Sequence, residues 1–121
     1  MQGFKFEVQF YAKVNGTEPA KEFLESLDTK MFAKIIRVID ILRTAGTMVR
    51  EPYSKHLDDG IFEIRAQSGT DISRVLYFFV VGCRIVLTHG FSKKTPKTPA
   101  KEIALAKKYR DEYLSKKEDQ Q

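Results

Sequence analysis

Residues 60–99 have the sequence GIFEIRAQSGTDISRVLYFFVVGCRIVLTHGFSKKTPKTP. β-branched and aromatic residues dominate three runs, at 61–67, 72–81 and 84–91, and this composition is typical of strands. The two breaks contain Ser68-Gly69-Thr70-Asp71 and Gly82-Cys83, so two successive hairpins are expected. Residues 75–81 are almost entirely apolar, which predicts a strand in the middle of the sheet.

Cations accompany each of these runs. Arg65 and Arg74 lie within the first two, whereas Lys93, Lys94 and Lys97 follow the third in a loop that also contains Pro96. Because strands rarely carry such residues, we expect strand pairing in chain order to bring the cations to one face. The residues alone leave a second interpretation open, in which the two arginines form surface ion pairs with Glu63, Asp71 or Glu102.

The N-terminal half has the periodicity of a strand followed by two helices. Apolar residues alternate from Phe4 to Phe10, which predicts a strand over residues 4–11 with one buried face. Helical spacing then predicts a short helix over residues 18–27 and a longer one that is capped by Asp28 and ends near Gly46. Residues 47–59 are expected to be irregular because of Pro52, and Asp59-Gly60 predicts a turn.

The C-terminal segment predicts one more helix, from Thr98-Pro99 to about residue 115, with a thin apolar stripe and a frayed tail at 118–121. The fold class is therefore α+β in the order β-α-α-β-β-β-α, as a single domain over residues 1–121. We expect a small, largely antiparallel sheet with the N-terminal helical hairpin packed on one face and a basic C-terminal helix. The other face, lined by Arg65 and Arg74, is expected to be an open concave surface.

Charge is unevenly distributed. The net charge is +5, and residues 89–117 hold nine Lys/Arg against three Asp/Glu, a balance of +6. A basic patch of this kind suits a polyanion or an acidic partner, although a solvated basic helix would give the same pattern. Two histidines and Cys83 do not form a zinc spacing, and no phosphate-binding loop is present, so no metal or cofactor is expected. One cysteine, no apolar run of membrane-spanning length and no signal-peptide core favour the cytoplasm.

These residue types suit RNA self-cleavage, in which the RNA supplies its own 2′-hydroxyl nucleophile. The protein must then move protons and stabilise charge on the phosphate. Arginine matches a phosphate geometrically, and a lysine among other cations loses its proton more easily. His89 lies within a predicted strand and is more often a structural histidine than a catalyst.

The ordered motifs from Phe62 to Thr95 resemble those of the RelE/ParE superfamily of bacterial toxins, and most closely its phage-derived HigB-type branch. They comprise Phe62-x-x-Arg65, Arg74-Val75-Leu76-Tyr77 and Gly90-Phe91-Ser92-Lys93-Lys94-Thr95, preceded by Tyr53-Ser54-Lys55-His56-Leu57. The resemblance implies a ribosome-dependent mRNA endoribonuclease of a type II toxin–antitoxin system, active in the bacterial cytoplasm. It also implies an antitoxin, typically a helix-turn-helix protein, through which alone the complex contacts operator DNA.

The resemblance implies that Arg65 and Arg74 bind the phosphate and that Lys93, with Lys94 beside it, is the catalytic cation. His89 is added to these catalytic residues as a candidate general base. The residues expected to bind RNA or the ribosome belong to the basic C-terminal segment and to the motif before the first run, and are Lys55, His56, Lys97, Lys107, Lys108 and Arg110. The general base is left open among Lys93, His89 and His56. The alternative function is a non-catalytic, ParE-like toxin that inhibits gyrase or another protein partner.

Overall fold

A computed structural model of the chain describes residues 5–119, with side chains as far as residue 116. The described residues confirm the α+β class. They form β1 (Glu7–Phe10), α1 (Pro19–Ser26), α2 (Thr29–Ala45), a 3-10 turn (Gly46–Met48), β2 (Ser54–Asp58), β3 (Ile61–Ser68), β4 (Asp71–Val80), β5 (Arg84–Lys93) and α3 (Ala100–Asp119). Every helix in this part of the chain is too short or too polar to span a bilayer.

The strands form one five-stranded sheet in the order β1-β5-β4-β3-β2. β1 is parallel to β5, and all other neighbours are antiparallel. The predicted hairpins of β3, β4 and β5 are confirmed. β4 lies in the middle and is buried on both faces along most of its length, as its apolar run predicts.

The helical hairpin of α1 and α2 packs on one face, which we call the hairpin face. Asp28 caps α2 as predicted, because its carboxylate accepts a hydrogen bond from the Met31 amide at 2.8 Å. Phe6, Val8 and Phe10 pack against this core, which confirms the buried side of β1, whereas Phe4 lies outside the described residues. Gly46 ends α2 with φ at 55°, and a Cβ there would overlap the ring of Phe6, so a larger residue does not fit.

The opposite face, which we call the α3 face, corrects the expectation of an open surface. α3 packs across it through a second apolar cluster that includes Leu76, Phe78, Ala106 and Tyr109. The helix also continues to Asp119, past the predicted end at 115, so residues 118–119 are helical where a frayed tail was predicted. Residues 120–121 lie outside the described part of the chain.

A strand was missed in the segment predicted to be irregular. β2 pairs with β3 at the edge of the sheet, and Ser54 opposes Ile64. Its exposed residues have no apolar alternation, so local periodicity gives no signal, and pairing with β3 determines its conformation instead. His56, which was expected in a loop, therefore lies on this edge strand.

Candidate functional site

Arg65 and Arg74 lie side by side on the α3 face. They are direct partners across β3 and β4, and opposed residues in a sheet project from the same face. Glu63 lies two residues before Arg65 and therefore shares this face. The register alone thus brings one acid and two cations together.

Glu63 links the two arginines. Its Oε2 accepts a hydrogen bond from Nη2 of Arg65 at 2.6 Å, and its Oε1 lies 3.7 Å from Nε of Arg74. The hydroxyl of Thr98 donates a further hydrogen bond to Oε1. Both arginines therefore form ion pairs with Glu63, as the second interpretation expects. These ion pairs are not at the surface, because Glu63 is fully buried.

The loop between β5 and α3 covers this triad. Nη2 of Arg65 donates to the carbonyl of Pro96 at 2.7 Å, and Nη2 of Arg74 donates to that of Thr95. As a result, the side chain of Arg74 is 0% exposed, whereas that of Arg65 keeps 28%. Arg65 is thus the arginine of the pair that a ligand can reach directly.

The surroundings of Arg74 disfavour its positive charge. Burial, and then the neighbouring Arg65, lower the pKa of its guanidinium, and Glu63 opposes them. Arginine nonetheless stays protonated in proteins, so a full charge is buried here. Its Nε and Nη1 have no hydrogen-bond partner within the described residues, and its guanidinium lies 5.5 Å from the ring centre of Phe91.

Lys93 and Lys94 lie at the end of β5. Lys93 opposes Ile72, two pairs along from Arg74 and Phe91, so the register places it on the α3 face with the arginines. Both lysines are exposed, and neither forms an ion pair with any residue that the structure describes. Lys97, in the covering loop, is also exposed. Exposed lysines therefore border the site that contains Arg65 and Arg74, and we call them the rim of the arginine site.

His89 lies on the α3 face but is buried away from this rim. It is 5% exposed, its Nε2 lies 3.0 Å from Glu102, and its Nδ1 lies 3.1 Å from the hydroxyl of Thr88. Burial lowers the pKa of the imidazole, and hydrogen bonding to Glu102 partly opposes that shift. This geometry joins β5 to α3, and the structure does not bring His89 together with the exposed lysines.

The basic residues of α3 divide into two kinds. Lys107 forms an ion pair with Asp58 at 2.5 Å, and Arg110 forms one with Asp59 at 3.0 Å. These pairs fasten α3 to the turn between β2 and β3, so their charge is partly neutralised. Lys108 is exposed and forms no ion pair with a described residue.

A groove follows the free edge of β2. One cavity of about 610 Å³ is lined by Arg50, Lys55 and His56, and a second of about 390 Å³ is lined by Lys55, His56, Arg65 and Lys97. Because they share residues, the two cavities adjoin, and we call them together the β2 groove. Lys55 opposes Glu63 on the α3 face, whereas His56 opposes Phe62, so the groove wraps around the strand.

Sequence reasoning missed several members of this arrangement. Glu63 was considered only as a surface partner, although alternation along a strand places it beside Arg65. No sequence pattern indicated that Arg50 or Thr98 would belong to the site. The carbonyls of the covering loop could not be found from side-chain types, because every residue has a carbonyl.

A family model matches residues 22–111, which include the second half of α1, all of α2, the arginine pair and most of α3. The model is described as phage-derived protein Gp49-like (DUF891). The chain belongs to the Gp49-like family. This family is associated with toxins of the RelE/HigB type, and membership of a toxin–antitoxin family implies an antitoxin partner. No curated protein matches the chain.

Proposed function

We propose that this Gp49-like protein is a HigB-type toxin that cleaves mRNA on the ribosome. The observation that carries the proposal is the shared face of Arg65, Arg74, Lys55 and Lys93, bordered by the basic β2 groove. Four cations on one face, one of them fully buried, form an electrostatic environment that favours a phosphate. Family membership supports the toxin class.

In the proposed reaction, the 2′-oxygen of the RNA attacks the adjacent phosphorus and the bond to the 5′-oxygen breaks. The products are a 2′,3′-cyclic phosphate and a 5′-hydroxyl, so no water is consumed. One group must accept the 2′-hydroxyl proton and another must protonate the leaving oxygen. Phosphate-binding cations supply the remaining stabilisation in the transition state.

The exposed part of Arg65 is the proposed phosphate ligand, because its planar fork can bind two phosphate oxygens. Arg74 acts from beneath, by fixing Glu63 and adding positive potential. Lys93, with Lys94 beside it, is the first candidate for proton transfer, and exposed His56 is the second. The buried His89 is a positioning residue for α3 in this scheme.

The remaining cations suit the ribosome and the mRNA strand. Lys55, His56 and Lys97 line the β2 groove, and Lys108 extends the exposed positive surface along α3. Contacts of this kind go to phosphates without reading sequence. The proposed partners are therefore a helix-turn-helix antitoxin that covers this surface, the ribosome and mRNA, in a bacterial cytoplasm, with operator DNA reached only through the antitoxin.

The test uses variants that leave the buried pair of Glu63 and Arg74 in place. Arg65→Ala and Lys93→Ala are assayed for mRNA cleavage on purified ribosomes, with Lys30→Ala on the exposed side of α2 as the matched control. We expect losses of about 100-fold or more for the first two, which is the usual effect of removing a transition-state ligand. The control should keep wild-type activity. Cleavage at wild-type rates by both site variants would refute the assignment.

One observation favours the alternative of a non-catalytic toxin that inhibits gyrase or another protein. Arg74 is fully buried and lies against Glu63, an arrangement that a purely structural ion pair would also have. The two functions differ in their cellular effect. Transcript cleavage soon after induction supports the nuclease, whereas DNA damage with intact transcripts supports the inhibitor.

A further inference from the structure

A separate cavity lies on the hairpin side of Arg65, between α2 and the turn that precedes β2. Its volume is about 340 Å³. Val38 and Ala66 form an apolar floor, and Pro52 and Tyr53 form a wall. We call it the Tyr53 pocket. Apart from Arg65, none of its lining residues has a proposed catalytic role.

The backbone of Tyr53 is fixed by hydrogen bonds, and its side chain is partly exposed. Its amide donates to the carbonyl of Arg50 at 3.0 Å, and its carbonyl accepts from the amide of Arg65 at 3.1 Å. The residue is nonetheless 47% exposed, and its ring makes no hydrogen bond or aromatic contact within the described part of the chain. An exposed aromatic side chain on a fixed backbone can stack on a planar ligand, and it has only two side-chain torsions to order.

The mouth of the pocket is cationic. Lys34, Arg37 and Arg65 line it, and among residues 5–116 no acidic side chain does. Lys34 donates to the carbonyl of Gln67 at 2.8 Å, whereas the exposed Arg37 has no ion-pair partner among the described residues. A ligand that combines a planar apolar group with negative charge matches this lining, and a nucleotide has both.

We propose that the Tyr53 pocket binds a nucleobase of the RNA strand, which stacks on Tyr53 while its phosphate contacts Arg37. The inference rests on the proposed nuclease function. Arg65 lines this pocket as well as the β2 groove, so a strand that passes Arg65 can occupy both. The bound base is therefore a neighbour of the scissile linkage. An acidic peptide would meet the same cations, but the continuity with the phosphate site favours RNA.

Binding of a fluorescently labelled, fully 2′-O-methylated RNA hexamer tests the pocket, because this probe cannot be cleaved. Tyr53→Ala in the full-length protein should weaken binding by roughly 5- to 150-fold, the range expected for loss of a base-stacking aromatic. Tyr53→Phe keeps the ring and should bind within about twofold of wild type. Met48→Ala, at an exposed residue outside the pocket, is the matched control.

A second probe isolates the base. Wild type should bind the hexamer more tightly than the same hexamer with one abasic position at the base bound by Tyr53, found by moving that position along the strand. Tyr53→Ala should lose this preference. Arg37→Gln should weaken both probes equally, because it removes a phosphate contact rather than a stack.

The outcomes separate this inference from the nuclease function. If wild type cleaves mRNA but Tyr53→Ala binds the hexamer as tightly as wild type, the pocket assignment is overturned and the nuclease stands. If hexamer binding depends on Tyr53 but ribosomes with wild type show no cleavage, the nuclease fails and the pocket stands. If Tyr53→Ala and Arg37→Gln release the antitoxin while hexamer binding is unchanged, the pocket binds the antitoxin and the nucleobase proposal is overturned.

Discussion

The two faces of the sheet are buried by different means. The hairpin face is covered by apolar side chains of α1 and α2, and the buried ion pair that the structure describes, Glu63 with Arg74, lies on the other face. The α3 face has an apolar half under Ala106 and Tyr109, and beside it lies the triad of Glu63, Arg65 and Arg74, of which Glu63 and Arg74 are buried. Burial of apolar groups is favourable by itself, whereas burial of charges is tolerated only when they are paired.

Because of this difference, substitutions on the two faces should affect stability and function differently. Replacing a core residue of the hairpin face that does not line the Tyr53 pocket should change stability alone, because the proposed catalytic residues Arg65 and Lys93 project from the other face. On the α3 face, the same carboxylate neutralises Arg74 and orients Arg65, so one change should affect both properties. The variants below test this contrast.

The largest effect is expected for Glu63→Ala. It leaves Arg74 charged and buried without its acid, which should cost about 3–5 kcal/mol of unfolding free energy. Urea denaturation followed by circular dichroism measures the loss. The double variant Glu63→Leu/Arg74→Met, which removes both charges, is the control and should recover most of the stability. A cost below about 1 kcal/mol for Glu63→Ala would mean that the carboxylate does not compensate the buried charge.

On the hairpin face, Ile35→Ala should cost about 2–5 kcal/mol, since it opens a cavity in a fully buried position. Phe32→Ala, at an exposed residue of the same helix, is the matched control and should have a much smaller effect. The same urea experiment applies. The folded fraction of Ile35→Ala should cleave mRNA at the wild-type rate, and a selective loss of activity would break the separation between the two faces.

The sequence predicted the hairpin face much better than the α3 face. Periodicity in residues 31–42 and the alternation of Phe6, Val8 and Phe10 identify apolar surfaces, and apolar surfaces need only to be covered. The α3 face depends on pairings between distant residues. Glu63 meets Thr98, and Arg65 meets the carbonyl of Pro96, so neither contact is encoded by a local pattern.

The missed β2 and the covered arginines have related causes. Lys55 and His56 lie on an edge strand whose side chains are exposed, and a strand of this kind need not alternate. The apolar stripe of α3 was recognised from residues such as Ala106 and Tyr109, but its position in the sequence does not reveal which surface it covers. The shared face of Arg65 and Arg74 was expected from hairpin pairing, whereas the burial of Arg74 was not.

A smaller effect concerns pH and is confined to the α3 face. Because burial lowers the pKa of His89 in the folded state, the unfolded chain binds the proton more readily near its ordinary pKa of about 6.5. Stability should therefore fall as pH decreases from 7.5 through that value. Urea denaturation at pH 7.5 and 5.5 should show a shallower fall for His89→Gln than for wild type. Equal slopes would mean that His89 does not contribute to the pH dependence.

The smallest effect on stability is expected for the ion pairs that connect α3 to the turn between β2 and β3. Arg110→Ala removes the ion pair with Asp59 and should cost about 0.2–1 kcal/mol, less at high salt, because exposed pairs are weak and screened. Lys108→Ala is the matched control for stability, since the exposed Lys108 has no ion pair with a described residue, and it should unfold like wild type. A loss of several kcal/mol for Arg110→Ala would mean that ion pairs rather than Ala106 and Tyr109 hold the helix on the sheet. The two variants also distinguish the roles of the cations of α3. Lys108→Ala should weaken RNA binding without affecting folding, whereas Arg110→Ala should mainly affect stability.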